Sequence, residues 1–139
     1  MKNDFSVATH CLVFLAHHPN QRFSSSQLGE NVCTNSVTIR RVLGSLHKKN
    51  LVDVVNGPKG GYSLVMDPNT IRLGDLYRHV GADTATAKQY TGSVDIDCLV
   101  SSNMGKVMQN LSEELIQEQI RYLNTKTVAD IHEQIKSFQ

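Results

Sequence analysis

The three cysteines are the residues with the widest chemical repertoire in this chain of 139 residues. Cys11, Cys33 and Cys98 are an odd number and lie far apart. This spacing argues against the disulfide framework of a small secreted protein and against a zinc site of the Cys-x-x-Cys kind. Each cysteine therefore acts alone or as half of a distant pair. Cys11 falls at an apolar position of a predicted helix, where a buried structural thiol is expected.

Histidines near the N-terminus suggest metal binding as a second chemistry. His10 and His17 are seven residues apart, as are Cys11 and His18, and seven residues span about 10.5 Å along a helix. One metal ion cannot bind both members of either pair, so we expect surface histidines and no metal site. No Ser-His-Asp arrangement or carboxylate pair stands out, and the glycine-rich segment 57–61 lacks the trailing Lys-Ser or Lys-Thr of a phosphate-binding loop. We expect no catalytic activity.

Basic residues are concentrated in the first part of the chain. Residues 1–80 carry nine lysines and arginines against five acidic residues, a net charge of +4. Residues 81–139 carry five against eight, a net charge of −3. The two parts therefore suit different partners. Five basic side chains lie in or beside two neighbouring predicted elements and could attract DNA phosphates: Arg40, Arg41, Lys48, Lys49 and Lys59.

Helical periodicity indicates the elements that precede these cations. A first amphipathic helix is predicted over about residues 4–17, and a Pro-Asn pair stops it. A short second helix begins at Ser24 or Ser25. Gln27 stands three residues after Ser24 and can complete a capping box with it.

A third predicted helix carries most of the cations. Residues 31–35 are typical of a tight turn, and Asn35 or Ser36 can cap a helix that reaches about Lys49. One face of this helix is apolar and is expected to turn inward. The opposite face is small and basic: Val37, Arg41, Gly44, Ser45 and Lys48. For an isolated helix, a merely solvated face is the simpler interpretation.

Two β-branched runs follow the third helix, at 51–55 and 62–65. The residues between them, Asn-Gly-Pro-Lys-Gly-Gly, predict a β-hairpin whose flexible tip carries one lysine. Such a hairpin is a wing, and a short helix is predicted after it over 73–80. A helix, a turn, a second helix with a basic face and a wing together match what the grooves of duplex DNA admit. The predicted DNA-binding residues are Ser26, Asn35, Ser36, Val37, Thr38, Arg40, Arg41, Lys48, Lys59 and Tyr62.

Four segments of this region also resemble a known family. They are Ser-Gln-Leu-Gly-Glu at 26–30, the end of the third helix and the following strand at 43–52, the wing at 57–64 with its Gly-Gly-Tyr-x-Leu, and Ile-Arg-Leu-Gly-Asp-Leu at 71–76. They resemble the Rrf-two (Rrf2) family of bacterial transcription regulators over about residues 4–82. The resemblance implies a winged helix-turn-helix dimer held together by a long C-terminal helix, with two third helices meeting successive major grooves.

Iron–sulfur members of that family carry three closely spaced cysteines before the long helix. Here the segment 91–105 contains only Cys98, so the resemblance does not extend to the cluster and we expect no cofactor. The chain is more similar to the cluster-free, HypR-type thiol-sensing branch. A helix start favours a thiolate at Cys98, whereas Asp95 and Asp97 oppose it. The hypothesis is that oxidation joins Cys33 to Cys98, moves the reading helices and releases DNA.

An apolar stripe predicts one long helix over about 98–124, followed by a final helix over about 128–138. Twenty-seven residues of helix span about 40 Å, more than a small domain needs to cover its core, so a partner subunit is expected. The predicted dimerisation residues are Met104, Val107, Met108, Leu111, Leu115 and Ile120. The predicted organisation is a winged helix-turn-helix domain at 1–82, a flexible loop at 83–97 and a helical dimerisation region at 98–139.

The sequence therefore predicts a mainly α, winged helix-turn-helix protein that acts as a homodimeric repressor on double-stranded DNA. With no apolar run long enough for a bilayer and no secretory leader, we expect it in the cytoplasm, away from membranes. A cysteine switch, a small ligand near the loop and a partner protein remain alternatives for the signal. Two other classes stay open: an interaction module without specific DNA binding, and an enzyme with Cys33 or Cys98 as nucleophile. The enzyme is disfavoured because neither cysteine has a histidine near it in sequence.

Overall fold

The computed structural model of the protein describes residues 3–81 and 90–139. These residues form six α-helices, a short 3-10 turn and a two-stranded antiparallel sheet. In chain order the elements are α1 (Asn3–His17), α2 (Ser25–Val32), α3 (Ser36–Lys48), β1 (Val52–Val55), β2 (Gly61–Leu64), the 3-10 turn (Pro68–Thr70), α4 (Leu73–Val80), α5 (Leu99–Leu123) and α6 (Val128–Lys136). This architecture confirms the predicted fold class. No described helix has the length and apolar character that crossing a bilayer requires.

Helix α1 lies at the centre of the hydrophobic core. Ala8, Cys11 and Leu12 have no exposed surface, and the helix contacts α2, α3, α4, α6 and β2. It ends at His17 because Pro19 cannot continue the helix and Asn20 adopts a left-handed backbone with φ 62°. The predicted helix and the predicted buried role of Cys11 are both confirmed.

The short second helix begins as its sequence predicts. Ser24 precedes α2, and its hydroxyl accepts the backbone N–H of Gln27 at 3.1 Å. The Gln27 side chain accepts the N–H of Ser24 at 2.8 Å in return, which completes the capping box. Helix α2 extends to Val32, so the connection to α3 is shorter than the predicted turn at 31–35.

Cys33 forms the turn between α2 and α3. Its backbone is left-handed, with φ 63° and ψ 44°, a conformation in which glycine or asparagine is the usual residue. Asn35 then caps α3, and its side-chain oxygen accepts the N–H of Thr38 at 2.8 Å. Helix α3 buries the face that carries Ile39 and Leu43, so its other face points away from the core.

The wing is a hairpin, and a third short pairing is made along the outer edge of β2. Strands β1 and β2 pair from Val52 opposite Leu64 to Val55 opposite Gly61. Phe23 and Tyr62 exchange two backbone hydrogen bonds, at 3.0 and 2.8 Å. Gly61 has φ 132°, and a Cβ there would lie 2.5 Å from the carbonyl oxygen of Phe23. Only glycine permits this close approach.

Helices α4 and α5 join the C-terminal region to the same core. Gly74 of α4 lies so close to α5 that a Cβ would be 2.4 Å from the carbonyl oxygen of Ile120. Asn124 accepts the N–H of Asp75 at 3.0 Å, and Val128 is fully buried. The final turns of α5 and the start of α6 are therefore part of the core around α1.

The predicted flexible loop at 83–97 can be compared only in part, because residues 82–89 lie outside the described residues. Its described part, 90–97, folds against the start of α5. The N–H of Ser93 donates to the hydroxyl of Ser101 at 3.3 Å, and the Tyr90 side chain lies beside Gly105. This segment is held by α5.

The predicted apolar stripe of α5 divides into two parts. Ile120 is only 4% exposed, because the last turns of α5 pack against α4 and α1 side chains share that core. Its prediction as a dimerisation residue was therefore wrong. The other five predicted residues are exposed along the remaining length of the helix: Met104, Val107, Met108, Leu111 and Leu115.

Two glycine-to-alanine substitutions form a matched test of this packing. Gly44→Ala places a methyl group where no atom lies within 4 Å, and should stabilise the protein by about 0.5–1 kcal/mol through the unfolded chain. Gly74→Ala forces α4 and α5 apart and should cost about 1–3 kcal/mol. Urea denaturation of both variants measures the two effects. Equal stabilities would show that α4 and α5 do not pack this closely.

Candidate nucleic-acid interface

The outer face of α3 is exposed and carries few bulky side chains. Val37 is 65% exposed although it is apolar. Around Gly44 the space that a Cβ would occupy is open, so another backbone can approach the helix closely. An exposed methyl-bearing side chain suits the methyl group of thymine. Lys48 is exposed on the same face.

The start of α3 and the start of α2 enclose a second part of this surface. A shallow concavity of about 540 Å³ lies between them and is lined by Ser26, Gly29, Glu30, Cys33, Thr34, Asn35 and Ser36. Three of the predicted DNA-binding residues therefore lie together. Asn35 and Thr38 share the capping hydrogen bond, so both also stabilise the first turn of α3.

The two arginines of α3 have different partners. Arg40 donates to the Ser25 hydroxyl at 3.3 Å and so bridges the starts of α2 and α3. Arg41 instead donates from Nη1 and Nη2 to the carboxylate of Asp4, at 2.6 and 3.0 Å. The sequence predicted phosphate attraction for both arginines and placed Arg41 within reach of base edges as well, but it missed Asp4 because this residue lies 37 positions away on α1.

The wing separates its two predicted DNA contacts. Lys59 is exposed at the tip. Tyr62 lies within β2, where it is half-buried and packs against the edge of the core. Arg22 links the two strands, because it pairs with Asp53 of β1 at 2.9 Å and donates to the carbonyl of Gly61 of β2 at 3.2 Å. Lys59 is therefore the wing residue with the greater reach.

A basic cleft next to α3 was not predicted. It encloses about 460 Å³ between the end of α3, the base of the wing and α4, and Lys49, Arg72 and Arg78 line it. None of these three cations pairs with a carboxylate within the described part of the chain. The amphipathic pattern of α4 offered a sequence signal, since Arg72 and Arg78 both fall outside its apolar face. The cleft extends the positive surface beyond the reading helix.

Comparison with known proteins gives a family and a set of similar folds. The sequence profile of the Rrf2 family, described as iron-dependent transcriptional regulator, matches residues 1–134. The chain belongs to the Rrf2 family. It is accordingly a DNA-binding transcription regulator. No curated protein sequence matches it.

Solved structures of other regulators have the same fold. A candidate transcriptional regulator from Lactobacillus plantarum is 28% identical, with a TM-score of 0.85 over 98% of this chain and 91% of that one. IscR of T. potens is 19% identical, with a TM-score of 0.71 over 100% and 90%. CymR, the global cysteine regulator of B. subtilis, is 15% identical, with a TM-score of 0.64 over 96% and 95%.

The donor set of this Rrf2 protein does not fit the iron dependence in the family description. No group of three histidine, cysteine, aspartate or glutamate side chains within residues 3–81 and 90–139 is arranged to hold a metal ion. Cys33 follows the end of α2, whereas Cys98 precedes the start of α5. His17 lies 2.9 Å from His132 across α1 and α6, but a pair of imidazoles alone is half of a closed metal site.

The three thiols of this Rrf2 protein have distinct environments. Burial raises the pKa of Cys11 to about 12, so this thiol stays protonated. Cys98 is exposed immediately before α5, and backbone N–H groups of Ser101 and Val100 hold its pKa below the ordinary value. The helix start therefore outweighs the neighbouring aspartates. Cys33 is exposed, and its thiol donates weakly to the carbonyl of Glu30 at 3.7 Å.

Alkylation by iodoacetamide checks these environments. Cys98 should react along a pH profile displaced to lower pH than that of a free cysteine peptide, because the thiolate is the reactive form. Cys11 should react only after unfolding. Mass spectrometry of quenched samples measures each rate, with Cys98→Ala as the control for assignment. A Cys98 profile at the peptide position would contradict the stabilised thiolate.

Proposed function

We propose that this protein is a sequence-specific, homodimeric repressor that places two α3 helices in successive major grooves of one operator. The observation that carries the proposal is the exposed face of α3, which presents Val37 and the open space at Gly44. Two such helices about 34 Å apart would read the half-sites of a pseudo-palindrome.

Cations around that face supply the attraction for the DNA backbone. Arg40, Lys48 and Lys59 are exposed and pair with no carboxylate among the described residues. Phosphate contacts fix the register of the protein on the duplex, and side chains at the start of α3 then reach base edges. Ser36, Val37 and Thr38 are the residues that we assign to this second role, with Ser26 and Asn35 beside them.

The exposed stripe on α5 supports the homodimer. Five apolar residues from Met104 to Leu115 are exposed along about three turns of helix. A concave surface of about 780 Å³ lies between α1, the end of α5 and α6, and apolar side chains that include Val13, Phe14 and Ile135 form part of its lining. We assign the stripe to contact with a second copy, because isolated apolar patches of this size are rarely left in water.

Oxidation is the signal that the cysteines support best, and it would relieve repression. In this step the thiols of Cys33 and Cys98 lose two protons and two electrons and form one S–S bond. Hypochlorous acid, as oxidant, leaves as chloride and water, with net release of one proton. The lowered pKa of Cys98 makes it the first thiol to react. Cys33 occupies the turn that orients α3, so a bond there would displace the reading helix.

Three further parts of the proposal follow from the donor set and the fold. The regulator works without an iron–sulfur cluster, since its described cysteines do not converge. It catalyses no reaction. Because its ligand is chromosomal DNA, we assign it to the bacterial cytoplasm. These parts are tested by iron analysis of protein purified without oxygen and by imaging of a tagged chain.

Steep salt dependence is expected for binding to the duplex upstream of its own gene. If Arg40, Lys48 and Lys59 of both protomers each neutralise a phosphate, affinity should fall by about 10³ between 50 and 200 mM salt. Fluorescence anisotropy measures it, and Lys59→Ala should reduce the slope. The control is Lys136→Ala, which removes an equal charge from α6. Absence of any salt-sensitive complex would count against the whole proposal.

We expect that introducing one charged side chain into the α5 stripe separates the dimer into monomers. Leu111→Glu should give monomers because a desolvated carboxylate disfavours the interface, and the fold should persist since Leu111 is 54% exposed. Light scattering measures the mass and circular dichroism the fold. Glu114→Gln on the same helix is the control. A folded dimer in Leu111→Glu would remove α5 from the interface.

The thiol switch predicts a specific pattern of lost response. Hypochlorite should abolish operator binding by the wild type, and reductant should restore it. Cys33→Ser and Cys98→Ser should both bind DNA and both ignore the oxidant, whereas Cys11→Ser should respond like the wild type. Non-reducing gels and peptide mapping identify the bond. If hypochlorite still abolished operator binding by Cys98→Ser, the proposed disulfide between Cys33 and Cys98 would be rejected.

A further inference from the structure

The ion pair between α1 and α3 links a carboxylate to the reading face. Arg41 lies on the outer side of α3, near Val37 and Gly44, and its side chain is 59% exposed. Asp4 lies in the first turn of α1 and its side chain is 29% exposed. A concavity of about 550 Å³ surrounds the pair, and Arg40, Lys48 and His79 also line it. Among the described residues of that lining, Asp4 is the one carboxylate.

The geometry of the pair leaves one edge of the guanidinium available. The carboxylate takes one hydrogen from Nη1 and one from Nη2, which is the end-on arrangement. Arginine has five N–H donors in a planar fork. The side edge, formed by Nε and the outer hydrogen of one Nη, keeps the two parallel donors that guanine accepts through O6 and N7.

The geometry points to Asp4 as a positioning residue that holds Arg41 for bidentate contact with a guanine. This inference rests on the proposed function, because it assumes that α3 enters the major groove. The sequence prediction placed Arg41 both among the phosphate ligands and near base edges, and the structure adds Asp4 as its partner. The Asp4 carboxylate offsets the charge of Arg41, so the pair attracts phosphates weakly, whereas a fixed planar fork suits one base.

Preorganisation explains why such a pair is useful. A free arginine side chain loses much of its rotamer freedom when it binds. Two hydrogen bonds to Asp4 restrict Arg41 before DNA arrives, so less freedom is lost in the complex. Preorganisation therefore increases the difference between operator and other DNA. Asp4 also repels phosphates, which lowers the affinity for every duplex.

Selection from a pool of random duplexes tests the inference without knowledge of the operator. Wild type, Asp4→Asn, Arg41→Lys and Glu133→Gln are each used to enrich bound sequences. Arg41→Lys keeps the charge but loses the fork. Glu133→Gln removes an equal charge from an ion pair on α6, away from α3. The expected result is one G·C position, in each half-site, that wild type and Glu133→Gln select and the other two variants do not.

Anisotropy with the selected duplex gives the size of the effect. Replacing that G·C pair should weaken wild-type binding by about 5- to 150-fold, the range for one bidentate contact. The same replacement should change the affinity of Asp4→Asn by less than half as much on a logarithmic scale. Asp4→Asn should also bind unrelated DNA more tightly, because a negative charge has left the surface.

The remaining outcomes distinguish failure of the positioning role of Asp4 from failure of the proposed function. Full selection of every position by Asp4→Asn overturns the positioning role and leaves the DNA-binding function intact. A larger gain in affinity for the motif than for unrelated DNA in Asp4→Asn also overturns it, because Asp4 would then only restrain Arg41. No enriched motif with the wild type overturns the proposed function itself. Thermal unfolding of each variant checks that the protein used in the binding experiments is folded.

Discussion

Burial of α1 is the constraint on which the rest of the molecule depends. Its apolar residues meet α2, α3, α4, α6 and the wing strand β2, so these elements take their positions from one central helix. Leu12 and Leu15 have almost no exposed surface, and each buried leucine contributes about 1.5–3 kcal/mol. Because α3 and the wing strand β2 both pack against α1, their positions relative to each other are fixed by one helix.

The elements closest to that centre were the most predictable from sequence. The capping box of Ser24 with Gln27 and the limits of α4 agree with the structure, because capping and apolar periodicity are local properties of the chain. The fold class followed from the order of such elements. The limit of α2 was less predictable, since Cys33 accepts a left-handed backbone that local rules reserve mainly for glycine.

Long-range pairings could not be predicted in the same way. The contact of Asp4 with Arg41 joins residues 37 positions apart, and that of His17 with His132 joins residues 115 apart. Periodicity places a side chain on a face of its helix, but it does not say which other helix lies opposite. Ile120 was misassigned for this reason: it fits the apolar stripe, and only the packing of α4 shows that the stripe turns into the core.

The tight contact between α4 and α5 makes the long helix a lever arm. Its 25 residues extend about 37 Å, and Gly74 meets Ile120 near one end without space for a methyl group. In a dimer held along the other end, a rotation of α5 by about 5° about that end would shift a reading head fixed at Gly74 by about 3 Å, close to the rise of one base pair. In such a dimer, tight packing at a glycine far from the DNA would pass the tilt of the helix to the reading head and so limit the half-site spacing.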